Sequence, residues 1–82
     1  MTNIQERLFN IFITEFAINP ADLKLDSRLC DDLGISITST DAVELLSKIE
    51  EEFKIEIPNE EFHNVVSIAD LIKVIKNNMN EN

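Results

Sequence analysis

Residues 39–53 read STDAVELLSKIEEEF, and this stretch decides the fold. Apolar side chains recur in it at three- and four-residue spacing, which is the period of one helical face. The members of this stripe are Ala42, Leu45, Leu46, Ile49 and Phe53. A hydroxyl at Ser39 or Thr40 is typical of a helix start, because it can accept a hydrogen bond from an unpaired backbone N–H group. The pattern therefore predicts an amphipathic helix that begins at one of these two residues and ends at residue 53.

The first residues of the chain predict a second helix, from about Thr2 to Ala17. Its apolar face is formed by Ile4, Leu8, Ile11, Phe12 and Phe16. Thr2 and Gln5 fit a capping box at its start. Asn19 precedes a proline, and that position disfavours helical backbone, so we expect the helix to end before it.

The residues after the central helix predict a connector, a helical turn and a last helix. Residues 53–57 alternate in polarity like a strand, but no second strand is available for pairing, so we expect an extended connector. Residues 59–64 are expected to form a helical turn. The last helix is expected to begin at Ser67, with Asp70 completing a capping box, and residues 77–82 are expected to fray.

Residues 20–38 predict a long ordered loop. Leucines recur in it too regularly for a solvated linker, and we expect them to pin the loop to the core: Leu23, Leu25, Leu29 and Leu33. Loops of this length are uncommon in compact domains and are often functional. Together the elements predict an all-α fold, a small bundle of three main helices and one short helix in a single domain that covers residues 1–82.

The composition excludes several classes of protein. Seven Lys and Arg against sixteen Asp and Glu give a net charge of −9. This charge argues against a nucleic-acid or anionic-membrane surface and favours basic partners. No apolar run approaches the roughly 20 residues of a membrane span. One cysteine cannot form an internal disulfide, which favours a cytoplasmic setting, and we expect a monomer.

Signatures of an enzyme or of a metal site are missing from the sequence. The single Cys30 and the single His63 lie far apart without a local nucleophile motif, so both are interpreted as structural residues. The aspartates of residues 20–38 lack the glycine-centred spacing of a calcium loop. We therefore expect a protein with no catalytic residues and no dedicated metal site.

A cluster of hydroxyl side chains comes directly before the central helix. Its members are Ser36, Thr38, Ser39 and Thr40. One interpretation is helix capping, since Ser and Thr at a helix start satisfy unpaired N–H groups. The other is an attachment point. A serine at a helix start presents its hydroxyl outward, and an attached phosphate would lie where the helix dipole and the free N–H groups favour an anion.

The motifs around this cluster resemble those of the acyl carrier proteins. The resemblance runs from the first helix to Ile75 and is carried by segments that occur in the family order: residues 31–34 (DDLG), 41–45 (DAVEL), 49–53 (IEEEF) and 56–58 (EIP). The family pattern is EDLG, DSL, D-x-VEL, LEEEF and an EIP-like turn. The resemblance implies an all-α carrier fold without enzymatic activity.

The family attaches 4′-phosphopantetheine to the serine of its DSL motif, and the matching residue here is Ser39. In both patterns the serine lies four positions before the valine of VEL, which is Val43. The sequence departs from the motif because Thr38 and Thr40 replace the Asp and the Leu, and because the preceding loop is two residues longer. Ser36 is the competing attachment point, although its spacing to Val43 does not match.

The resemblance also implies docking residues and partners. Acidic residues of the central helix, with one apolar position beside its stripe, would face basic patches on the partners: Asp41, Val43, Glu44, Glu50, Glu51 and Glu52. A role as an additional core residue is the open alternative for Val43. The expected partners are a phosphopantetheinyl transferase, or holo-carrier synthase, and basic-patch acyl-transferring enzymes of a fatty-acid pathway or a specialised acyl or polyketide pathway.

Two alternative functions stay open at this point. The chain could be a carrier-like interaction module that is never modified, because Thr38 and Thr40 alter the serine motif. It could also be a peptidyl or D-alanyl carrier, because the altered motif and the longer loop suggest something other than a housekeeping fatty-acid carrier.

Overall fold

The computed structural model describes residues 3–79 and shows a bundle of α-helices. The elements, in chain order, are α1 (Ile4–Phe16), a short 3-10 helix (Pro20–Asp22), α2 (Thr40–Phe53), α3 (Asn59–His63) and α4 (Ile68–Met79). Within the described residues no β-strand forms. The predicted all-α bundle of three main helices and one short helix is confirmed.

The segment after α2 is an extended connector, as predicted, and it begins where Lys54 adopts left-handed backbone with φ 56°. At the other end of the chain, α4 continues to Met79. The expectation that residues 77–79 fray is therefore wrong, and residues 80–82 lie outside the described part. Between residues 3 and 79, no helix is long and apolar enough to cross a membrane.

The start of α1 differs from the predicted one. The Asn3 side chain accepts hydrogen bonds from the backbone N–H groups of Gln5 and Glu6, at 2.8 and 3.3 Å. Asn is as good an N-cap as Ser or Thr, so the predicted capping box is wrong: Gln5 contributes its backbone N–H, and Thr2 lies outside the described residues. α1 ends as predicted, at a left-handed Ala17 with φ 56°.

One apolar core fills the space between α1, α2 and α4. Seven side chains from these helices have no exposed surface: Leu8, Phe12, Leu45, Ile49, Ile68, Leu71 and Ile75. The predicted stripe of α2 faces this core, and Leu46, its one partly buried member, packs against the edge of the core. Burying a Leu, Ile or Phe side chain contributes roughly 1.5–3 kcal/mol. This shared core, more than intrinsic helix propensity, therefore holds α2 in place.

The long loop is fastened to the start of α4 by backbone hydrogen bonds. We call the set that joins residues 25–29 to residues 66–69 the loop clasp: Leu29 N–H to Val66 O (2.9 Å), Ile68 N–H to Ser27 O (2.9 Å) and Ala69 N–H to Leu25 O (2.8 Å). The first N–H groups of a helix have no partner inside the helix. The loop carbonyls satisfy these groups in α4, so the loop and the helix start stabilise each other.

The leucines of the long loop do not all behave as predicted. Leu23, Leu29 and Leu33 are buried in the core, as expected. The side chain of Leu25 is 46% exposed, so the expectation that it pins the loop is wrong. Its carbonyl makes the contact instead, through the hydrogen bond from Ala69.

The predicted capping box at the start of α4 is confirmed. Ser67 Oγ accepts a hydrogen bond from the Asp70 N–H at 3.2 Å. Asp70 Oδ2 accepts hydrogen bonds from the backbone N–H groups of Ser67 and Val66, at 3.1 and 3.2 Å. These two hydrogen bonds, that from Ser67 most, favour the ionised carboxylate and hold the pKa of Asp70 below its ordinary value of 3.8.

Replacing Asp70 by Asn keeps an acceptor at this position and removes the charge. Because the pKa of Asp70 is lowered on folding, its carboxylate stabilises the fold above the ordinary pKa, and that contribution is lost as the pH falls through the lowered value. We expect Asp70→Asn to reduce the free energy of unfolding at pH 7, and the difference from the wild type to shrink as the pH falls below about 4. Urea denaturation across this pH range measures it. A difference that stays constant with pH would contradict the assignment.

Arg7 of α1 fastens the C-terminal end of α2. Its Nε lies 2.8 Å from Glu52 Oε2, and its guanidinium also donates to the Glu52 carbonyl at 2.6 Å. The same guanidinium lies 4.4 Å from the centroid of the Phe53 ring, within range of a cation–π interaction. A second pair between these helices, Lys48 Nζ with Glu15 Oε1, is longer at 3.7 Å. Arg7 is therefore the stronger link between α1 and α2.

Replacing Arg7 by Met keeps an apolar stem and removes the donors and the charge. We expect Arg7→Met to lower the free energy of unfolding by about 1–2 kcal/mol, because a charge-assisted hydrogen bond and a cation–π contact are lost together. The matched variant Lys48→Met should cost less than about 0.5 kcal/mol, since exposed pairs contribute little. Urea denaturation at pH 7 compares the two, and equal losses would count against the role given to Arg7.

Candidate functional site: the serine at the start of α2

Ser39 is the N-cap of α2. Its backbone is extended, with φ −89° and ψ 169°. Its Oγ accepts a hydrogen bond from the Ala42 N–H at 3.2 Å, and its carbonyl accepts one from the Val43 N–H at 3.3 Å. The capping interpretation of the hydroxyl cluster is therefore confirmed for this residue, and the predicted start of the central helix is correct.

The Ser39 hydroxyl has a second partner. Its Oγ donates to the Ser36 carbonyl at 2.6 Å, and the Ser39 backbone N–H donates to the same carbonyl at 2.9 Å. The expectation that the hydroxyl points freely outward is therefore wrong. Ser39 is partly exposed, but backbone groups engage its oxygen on both sides.

The loop before α2 brings the Ser36 carbonyl to this hydroxyl. Gly34 has a φ of 74°, a left-handed conformation that glycine adopts without a steric penalty. Ile35 is buried, with 2% of its surface exposed, and Ile37 packs against the core. These two anchors leave Ser36 and Thr38 exposed, with their hydroxyl oxygens 3.4 Å apart. The tight turn that precedes α2 is thus set by alternating apolar anchors.

Three of the predicted docking residues are exposed near the start of α2, and we call Asp41, Val43 and Glu44 together the α2 face. Val43 is 67% exposed, so the alternative of an additional core residue is wrong. Asp41 and Glu44 are also exposed, and among residues 3–79 neither forms a salt bridge. Glu51, further along the helix, is exposed as well. These carboxylates are free for a basic partner.

The two other predicted docking residues have partners within the chain. Glu50 Oε2 accepts a hydrogen bond from the Ile57 N–H at 2.9 Å, which ties the connector to α2. Glu52 is paired with Arg7 at 2.8 Å. Sequence reasoning missed the role of Arg7, because no local motif signals a partner 45 positions away.

The structure gives no sign of a catalytic or metal-binding role for the single cysteine and the single histidine. Cys30 is a free, exposed thiol, and His63 is exposed at the end of α3. In the part of the chain that the structure describes, no group of three or more His, Cys, Asp or Glu side chains could hold a metal ion.

The start of α2 fits a covalently attached phosphate. The first N–H groups of a helix and the positive end of its dipole favour an anion. Ser39 places a nucleophilic oxygen at this end, and the exposed side chains of Thr38 and Thr40 flank it. A group attached to Ser39 can therefore extend into solvent.

A helical bundle with a partly exposed serine at the start of an acidic helix is compatible with a carrier scaffold. Comparisons with known proteins agree. Residues 6–75 match the family model described as "Phosphopantetheine attachment site". The chain is 39% identical over 71 residues to an acyl carrier protein of Clostridium acetobutylicum, covering 87% of this chain and 90% of that protein. It is 36% identical over 77 residues to an acyl carrier protein of Campylobacter hominis, covering 94% of each.

The chain belongs to the acyl carrier protein family. It is a carrier protein and not an enzyme, and the prosthetic group of the family is covalently attached 4′-phosphopantetheine. The family, the carrier role and the cofactor that the motifs implied are confirmed. Membership also implies interaction with a phosphopantetheinyl transferase and with acyl-handling enzymes.

Proposed function

We propose that Ser39 carries the 4′-phosphopantetheine arm. The observation that carries this proposal is the position of Ser39 as the N-cap of α2, four residues before Val43 in a VEL motif. Its partial exposure and the anion-favouring end of the helix support it. Ser36 is more exposed, but it lies within the preceding turn and not at the helix start.

The arm supplies a terminal thiol that holds an acyl group as a thioester, and the protein contributes position. Ser39 Oγ is the tether point, and the α2 N-terminus stabilises the negative phosphodiester. The core keeps α2 rigid, so the tether leaves from a fixed site. A tethered substrate reaches each partner enzyme at a high effective concentration. The carrier itself performs no chemistry on the acyl group.

Incubation with coenzyme A, Mg²⁺ and a broad-range phosphopantetheinyl transferase, followed by intact-mass measurement, tests the attachment residue. We expect the wild type to gain the mass of one phosphopantetheine and Ser39→Ala to gain none. Ser47→Ala is the matched control, because Ser47 is an exposed serine of the same helix, and it should gain the same mass as the wild type. A gain that persists in Ser39→Ala would place the arm on another hydroxyl, such as that of Ser36.

We also propose that the α2 face docks the basic patches of the transferase and of acyl-transferring enzymes. Asp41 and Glu44 are exposed carboxylates beside the exposed Val43, so the surface combines steering charges with an apolar contact. Charges of this kind mainly accelerate association, and salt weakens their effect. Glu50 and Glu52 contribute less, because both have partners within the chain.

Neutralising Glu44 tests the docking surface. We expect Glu44→Gln to lower the kcat/KM of phosphopantetheinyl transfer by about two- to fivefold at low salt, and by less at high salt. Glu60→Gln removes the same charge from an exposed position of α3 and should leave kcat/KM nearly unchanged. Equal effects of the two variants would mean that net charge, and not the α2 face, governs docking.

The carried group is proposed to be an acyl chain of fatty-acid or specialised acyl or polyketide metabolism. The two curated relatives are acyl carrier proteins, which favours this cargo over a peptidyl or D-alanyl group. The exposed free thiol of Cys30 favours a reducing compartment such as the cytoplasm, and the protein is proposed to act as a monomer. Mass spectrometry of the thioester isolated from cells identifies the cargo.

An unmodified interaction module is the second candidate, and one observation favours it. The Ser39 hydroxyl already has two backbone partners, which would suit a residue whose role is capping alone. The mass measurement separates the two, since no gain in the wild type supports the unmodified module.

A further inference from the structure

The Ser39 hydroxyl, which is proposed to be modified, is hydrogen-bonded to the turn before α2. Ser39 Oγ donates its proton to the Ser36 carbonyl at 2.6 Å, a short distance for an O–H···O hydrogen bond. The Ser39 backbone N–H donates to the same carbonyl at 2.9 Å. We call these two hydrogen bonds the serine latch. The latch engages both donors of the residue through a single acceptor.

Phosphopantetheinyl transfer removes one half of the latch by its chemistry. Ser39 Oγ attacks the β-phosphorus of coenzyme A, and an Oγ–P bond forms. The P–O bond to 3′,5′-ADP breaks, the leaving group takes that electron pair, and a base takes the hydroxyl proton. Oγ is then an ester oxygen with no hydrogen to donate. Two acceptor oxygens at the 2.6 Å separation seen here repel each other without a shared hydrogen, so Oγ and the Ser36 carbonyl must move apart.

We propose that the serine latch gates loading: the Ser36–Ser39 turn opens to release the hydroxyl to the transferase, and it stays open once the arm is attached. The proposal rests on the attachment of the arm to Ser39. The acceptor belongs to the turn of residues 36–39, which comes directly before α2.

The latch should affect turnover and not docking. The Ser36 carbonyl points to Ser39 and lies in the turn, whereas the proposed docking residues Asp41, Val43 and Glu44 lie on α2. The free energy needed to open the turn then adds to the activation barrier of the step that follows binding of the transferase. Weakening the latch would raise kcat and leave KM unchanged, because only the step after binding becomes easier.

Thr38→Gly weakens the turn without removing a docking residue. Thr38 is an exposed central residue of the turn, and glycine in its place increases the freedom of the open chain. Ala21→Gly is the matched control, an uncharged and exposed position of the short 3-10 helix Pro20–Asp22, outside the turn. The experiment measures kcat and KM of transfer from coenzyme A for both variants and for the wild type, with melting temperatures of all three.

We expect Thr38→Gly to raise kcat by about two- to fivefold, the size expected when one glycine increases the freedom of the open chain, with KM unchanged and a slightly lower melting temperature. Faster loading by a less stable protein is a result that a merely structural role of the turn would not give. Ala21→Gly should leave kcat at the wild-type value. An unchanged or lower kcat for Thr38→Gly in a chain that is loaded on Ser39 would overturn the gate.

Amide hydrogen exchange before and after loading supplies a second readout. We expect the Ser39 N–H to exchange faster after loading, because the turn that protects it is open. Unchanged exchange would mean that Oγ alone rotates away, which overturns the proposal while leaving the attachment site intact. A wild-type chain that gains no mass, or gains it at Ser36, overturns the proposed attachment site and the gate together. The two failures are therefore distinguishable.

Discussion

The loop clasp is the constraint on which the rest of the structure depends. A loop between α1 and α2 would be free to move if its polar backbone groups were satisfied by water alone. The clasp instead gives its carbonyls to the unpaired N–H groups at the start of α4, and the buried Leu29 and Leu33 add apolar contacts. Because the loop is held in place, Gly34 and the turn that ends in Ser39 also have a defined conformation. The position of the proposed attachment serine therefore depends on contacts with a helix that is distant in the sequence.

Ser39 has two physical roles that compete. As an N-cap it stabilises α2 by accepting from Ala42, an interaction typically worth about 1 kcal/mol. In its proposed role as the nucleophile it has to release its proton, which it donates to the Ser36 carbonyl in this structure. The first role can persist after modification, because an ester oxygen still accepts a hydrogen bond. The hydrogen bond to the Ser36 carbonyl cannot persist, because an ester oxygen has no proton to donate. For this reason the turn, and not the helix, is expected to change on loading.

The acidic residues of α2 also differ in role, since some are exposed without a salt-bridge partner among residues 3–79 and others have a partner within the chain. Asp41 and Glu44 carry uncompensated charge on the exposed part of α2, where like charges destabilise a compact state slightly and attract basic partners. Glu50 and Glu52 use their charge within the chain, on the connector and on Arg7. A single acidic helix therefore contains the proposed recognition surface near its start and structural anchors near its end.

Local patterns predicted the helices well, and the failures came from long-range contacts. The bounds of α2 follow from the spacing of its apolar stripe and from the capping serine, both of which are read from adjacent residues. The exposure of Leu25 could not be predicted, because leucine spacing does not reveal that the contact with Ala69 is made by a carbonyl. The partner of Glu52 lies on another helix, so no helical pattern distinguishes it from a free acid.

The sequence leads to a proposed attachment residue, but it does not predict the geometry around that residue. The distance from Ser39 to the VEL motif and the family resemblance favour Ser39 as the attachment residue, since both depend only on sequence positions. The orientation of its hydroxyl depends on the Ser36 carbonyl, whose direction is set by the burial of Ile35 and the packing of Ile37. A sequence pattern does not encode that direction.

The central claim is that one oxygen, Ser39 Oγ, bears the prosthetic group. Fragment-ion mass spectrometry of the loaded wild-type chain locates the added phosphopantetheine directly, without substitution of any residue. The account predicts fragments that assign the modification to Ser39 alone. Assignment to Ser36 or to a neighbouring threonine, or an unmodified chain, would contradict it.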